Sequence, residues 1–161
     1  MTSKREAIRY TFPTLTPEER TMRFFKSESF GVMFRKGIDL ATETAEYIDG
    51  PGKEDSQKLI HPASIVYINE SSFLTVRVMT IASWLLLHKA VGAGEQTLAY
   101  VRSKKNRVDL SRLGTYTMDP DRMSVIPGGL RELIARSQAL AGEVWRIDTA
   151  HFPEEYAQKS T

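Results

Sequence analysis

Apolar and polar positions alternate along this chain in three long blocks, each closed by glycine or proline. In "SESFGVMFRKGIDLATETAEYIDGPG", Phe30, Phe34, Ile38, Ala41, Ala45 and Ile48 recur at helical spacing, predicting a helix from Ser27 or Glu28 to Ile48. Gly37 and Ala41 suit close approach by a partner helix, and "DGPG" supplies a glycine stop followed by proline. The opposite face is acidic, with Asp39, Glu43, Glu46 and Asp49.

The second block runs from near Pro62 to the glycines Gly92 and Gly94; roughly 30 residues make a helix about 45 Å long. It carries two apolar stripes. Ile65, Ile68, Ser72, Thr75, Met79, Ala82 and Leu86 form the first, and Val66, Phe73, Val76, Thr80, Leu87 and Val91 lie beside them. A helix apolar over more than its usual third is covered on more than one side, so this block is expected as the sandwiched middle helix. A membrane span is the competing reading, but Arg77, Thr80 and Ser83 interrupt a run that falls short of the ~20 apolar residues a span needs.

The third helix is expected after Gly128 and Gly129, with Leu130, Leu133, Ser137, Leu140, Val144 and Ile147 on one face and Pro153 as its end. Thr16, Pro17 and Glu19 fit a helix-opening capping box. Residues 95–126 are irregular, and no strand alternation of useful length occurs. The expected fold is all-α: a three-helix bundle domain over residues 27–152, a flexible N-terminal arm over 1–26 and a mobile C-terminal tail over 153–161. The surplus apolar width of the middle helix leaves a face for a second copy, so a homodimer is expected.

Composition narrows the chemistry. The chain has no cysteine, which removes disulfides, thiolate nucleophiles and cysteine-based metal sites and fits a reducing, cytoplasmic setting. His61, His88 and His151 lie on separate segments without metal-ligand spacing and read as capping or solvated groups. The paired carboxylates of the first helix oppose its core face and read as solvated. Phosphate-binding glycine loops and a nucleophile elbow are both missing, and no cofactor is implied. An enzyme requires distant residues such as His88 and Glu70 to converge.

Two charge features remain. Glu70 and Arg77 lie two turns apart on the middle helix, either fixing bundle register or dimer pairing through an ion pair, or both snorkelling to solvent. Arg102, Lys104, Lys105, Arg107 and Arg112 form a basic segment flanked by Tyr100 and Tyr116. It reads as a docking surface for an acidic protein partner or as a plain solvated face. A small nucleic-acid-associated regulator using this 102–112 segment is the alternative, weakened by a net charge of only +2.

The stop "YIDG", the arginine-bearing helix "TVRVMTIASWLLLHKAV" and its close "GAGE" resemble the alphaproteobacterial regulator-of-CtrA-degradation family, with a weaker likeness at "VWRID". That resemblance implies a dimerising three-helix bundle and a non-enzymatic adaptor in regulated proteolysis. It implies delivery of cell-cycle regulators such as CtrA to the ClpXP protease, together with CpdR-like and PopA-like partners. It supplies no catalytic motif.

Overall fold

The computed structural model describes residues 13–113 and 119–157; the expectations for residues 1–12, Tyr116 and residues 158–161 lie outside them. The described residues are all-α. Three long helices pack against one another: α2 (Glu28–Asp49), α4 (Ala63–Gly92) and α7 (Gly128–His151). Shorter helices join them: α1 (Pro17–Phe25), α3 (Pro51–Gln57), α5 (Leu98–Arg102), α6 (Pro120–Ser124) and α8 (Glu154–Ala157).

Local chemistry sets the ends. Ser27 caps α2 by accepting from Phe30 N–H, and Gly50 closes it before Pro51 opens α3. Thr16 and Glu19 form the expected reciprocal capping box on α1. That helix lies within the span expected as an arm, and it is bound to the core. Its last residue, Phe25, is buried among Phe30, Trp84, His88 and Phe152, with ring centroids 5.1 Å from Phe30 and 4.6 Å from His88. Gly92 makes this docking possible: a Cβ there would stand 2.3 Å from the Phe25 carbonyl oxygen. Gly37 plays the same part between α2 and α4, where a Cβ would meet Leu85 at 2.1 Å.

The helix boundaries follow the sequence, but two of the buried faces do not. On α2 the buried stripe is Phe30, Met33, Gly37, Leu40 and Thr44, about one position round from the expected one. Met33 and Leu40 are as apolar as Phe34 and Ile38, and the glycine decides which face comes close. On α4 the buried stripe runs through Tyr67, Glu70, Leu74, Arg77, Val78, Ile81, Trp84, Leu85, His88 and Val91. Most of the two apolar seams expected to be covered lies instead on its outer side, although Val91 is buried and Val66 packs against the core. Polar groups on the inward stripe disguise it; they are buried because partners satisfy them. On α7 the expected face is observed, extended by a buried Asp148.

Candidate functional site

The basic segment divides into two parts once folded. Arg102 ends α5, and its side chain is 9% exposed. Its guanidinium donates to Asp148 through Nη1 at 2.7 Å and Nη2 at 3.1 Å, and to Glu155 through Nε at 2.9 Å and through Nη2. The Phe152 ring lies 3.7 Å from its Cζ. Arg107 reaches the same Glu155 carboxylate at 2.8 Å. Arg102 and Arg107 therefore hold the chain's own carboxylates, which removes them from the expected open docking surface. Lys104, Lys105 and Arg112 are exposed, and Tyr100 is exposed beside them.

Asp148 is the centre of the network. Besides Arg102 it accepts from Trp84 Nε1 at 2.7 Å and from the Tyr156 hydroxyl at 2.5 Å. Burial alone would push its carboxyl up; hydrogen bonds from Arg102, Tyr156 and Trp84 outweigh that and hold it below the usual carboxylate range. Burial and the adjacent Asp148 carboxylate push the Tyr156 phenol well above its ordinary value. This network binds α4, α5, α7 and α8 together. The acid that organises it follows the period of Val144 along the apolar face of α7, so a carboxylate in core register was the available signal.

Glu70 and Arg77 are both buried, which answers the snorkelling reading. Glu70 lies 3.8 Å from Arg122 of α6, and Arg77 donates to Ser137 Oγ of α7 at 2.9 Å. Each ties α4 to another element.

The histidines carry no convergent chemistry. His61 is exposed ahead of α4. His151 Nδ1 lies 2.9 Å from Thr21 Oγ1, with its ring stacked on Phe24. His88 departs from the expected capping or solvated position: it is 1% exposed, its ring tilted against Trp84 with centroids 4.4 Å apart. Its Nδ1–H donates to the Trp84 carbonyl at 2.8 Å, and Nε2 has no partner among the described residues. Burial pushes its pKa down to about 4, so the ring is neutral near pH 7. Glu70 and His88 stand 18 positions apart on one helix, about 27 Å, which separates the pair an enzyme would need to unite. No group of potential metal ligands occurs among the described residues.

The most extended surface feature is the outer side of α4. Ile65, Ile68, Val76, Met79 and Leu86 are 47%, 56%, 47%, 64% and 53% exposed. At spacings of three and four, with Ser72 and Ser83 between them, they form one stripe about 30 Å long. Beside it lies a groove of about 730 Å³, lined in part by Met79, Leu86, Leu87, Asn106, Val108 and Asp109. By length and composition α4 is apolar enough to cross a membrane. Its inner stripe, with Glu70, Arg77 and His88, is packed against α2 and α7.

Comparison with known proteins agrees with this architecture. The family described as "Protein of unknown function (DUF1465)" matches residues 21–161, and the chain belongs to it. The crystal structure of RcdA from Caulobacter crescentus is similar, at 35% identity and a TM-score of 0.63, covering 79% of this chain and 94% of that one. The resemblance noted in "YIDG" and the α4 helix is thus matched by the fold, and the chain is RcdA-like. No curated protein matches.

Proposed function

We propose that this RcdA-like member of the DUF1465 family is a non-enzymatic, cytoplasmic adaptor of regulated proteolysis, working as a homodimer. The observation that carries the reading is the α4 stripe. A contiguous apolar face of this length on an otherwise well-packed chain marks a protein-binding surface rather than a reaction centre. A second copy is the simplest occupant, since two parallel or antiparallel α4 helices bury matching stripes about a twofold axis. RcdA is the supporting relative.

The adaptor brings cargo such as CtrA to ClpXP, alongside CpdR-like and PopA-like proteins. Tethering raises the effective concentration of cargo at the protease, and no bond need be made or broken by the adaptor. Lys104, Lys105 and Arg112 are the remaining cations of the basic segment and provide the face for an acidic partner. In a reconstituted assay with ClpXP, CtrA and those two partners, adding this chain speeds loss of CtrA at physiological salt. An unchanged rate removes the delivery role.

The nucleic-acid alternative draws less support, because Arg102 and Arg107 are held by Asp148 and Glu155. A salt titration against duplex DNA separates the readings: phosphate binding falls steeply with salt, in proportion to the charges neutralised.

A further inference from the structure

One carboxylate in the clamp differs from the other. Asp148 belongs to the long helix α7, whereas Glu155 arrives on α8, a four-residue turn after Pro153. Of the two arginines that receive it, Arg102 is held from elsewhere. Arg102 is fixed by Asp148 and by the Phe152 ring, and Arg107 approaches from the loop after α5. If Glu155 withdraws, Arg102 keeps its bidentate partner and is not left as an uncompensated buried charge. What is lost is the pairing of Glu155 with Arg102 Nε and Nη2 and with Arg107, the latter 33% exposed and Glu155 itself 20% exposed. The partly exposed Arg107–Glu155 pair contributes little to stability, so the Arg102 contacts carry most of the hold that Glu155 gives α8.

The remaining grip on α8 is Tyr156, which donates to Asp148 and packs edge-on against Trp145 at 5.2 Å. A cavity of about 260 Å³ opens beside these groups, lined in part by Lys104, Asp109, Ser111 and Trp145. It leaves room for a side chain beyond those that α8 supplies.

We propose that Arg102, Arg107, Asp148 and Trp145 form an exchangeable receptor for a short acidic–aromatic protein segment, and that α8 is its resident, self-inhibiting occupant. The occupant itself defines the ligand chemistry: a carboxylate to span the two arginines, followed directly by an aromatic hydroxyl for Asp148 and the Trp145 face. A partner presenting such a turn competes with α8. Because α8 is tethered, it competes at high effective concentration, and the site stays shut to weak ligands. Lys104 at the rim adds attraction for further acidic residues.

The probe is a fluorescein-labelled peptide of sequence PEEYA, copying residues 153–157, titrated by anisotropy with the full chain. The Glu155→Gln variant, with its strap weakened, binds the peptide about tenfold or more tighter than wild type, corresponding to ~1.4 kcal/mol. Adding Arg107→Gln to it abolishes the gain, and so does replacing the second glutamate of the peptide by glutamine. Equal affinity for wild type and Glu155→Gln, or binding to neither, overturns the receptor. Should Glu155→Gln not fold by circular dichroism, hydrogen exchange of wild type decides. Excess peptide speeds exchange of the 154–157 amides if the strap is displaced, and unaltered exchange overturns the proposal. The assay contains neither protease nor cargo, so its failure leaves delivery of cargo standing, and failed delivery leaves the exchange standing.

Discussion

The clamp around Asp148 and the outer stripe of α4 are the two most informative regions of the molecule, and they are opposites. The clamp buries charge and satisfies it within one chain: Asp148 receives hydrogen bonds from Arg102, Trp84 and Tyr156. The α4 stripe leaves Met79, Ile68 and Leu86 more than half exposed. One region spends polar groups on holding four helices together; the other presents apolar surface that water disfavours. Between these two regions the charged cluster is architectural, and the apolar stripe is the surface proposed for a partner.

Breaking the clamp has the largest expected effect. Asp148→Ala leaves the Arg102 guanidinium and Trp84 Nε1 short of their buried acceptor and costs about 3–5 kcal/mol, read by urea unfolding. A loss under ~1 kcal/mol would reduce the clamp to a surface pair.

The aromatic core beside it contributes a pH dependence. His88 has a folded pKa of about 4, below its unfolded value near 6.5, so the unfolded chain takes up the proton first. Its contribution is full above pH ~6.5 and is lost as pH falls toward 4, on the order of 3 kcal/mol. His151 is shifted in the same direction by burial, so the His88 part is the difference between wild type and His88→Phe. Unfolding midpoints measured from pH 7 to pH 4 check it: the variant shows the shallower fall, and parallel curves would contradict the assignment.

On the α4 side the expected effects fall on association rather than folding. Met79→Glu changes unfolding free energy by less than ~0.5 kcal/mol, because the position is exposed. It weakens the proposed dimer by ~3 kcal/mol, roughly a hundredfold, through an unpaired charge in an apolar interface. Reversing Lys104, Lys105 and Arg112 to glutamate leaves stability within ~0.5 kcal/mol per site and reduces binding of acidic partners, measured by calorimetry. Loss of folding in that triple variant would show that these cations, too, are structural.

The contrast also marks what the sequence made legible. Helix ends were readable because Thr16, Ser27, Gly50 and Gly94 act locally, through caps and stops. The inward face of α4 was not, because its period passes through Glu70, Arg77 and His88, which look like solvent-facing residues until Arg122 and Ser137 are placed against the first two. Docking α1 likewise depended on Phe25 meeting His88 and Phe152, residues distant in sequence. The basic segment was visible as a cluster of charge, but its division into clamped Arg102 and Arg107 and exposed Lys104, Lys105 and Arg112 required the carboxylates of α7 and α8. Charge counts along a chain give composition; pairing is a property of the fold.

Sedimentation equilibrium of the full chain over a range of loading concentrations tests the proposed role of the α4 face most directly. A mass rising toward twice the 18.2 kDa of one chain, and remaining at 18.2 kDa in Met79→Glu, is the predicted result. A wild-type mass of 18.2 kDa at every concentration would contradict the proposed dimer, and with it the second copy as the occupant of the stripe.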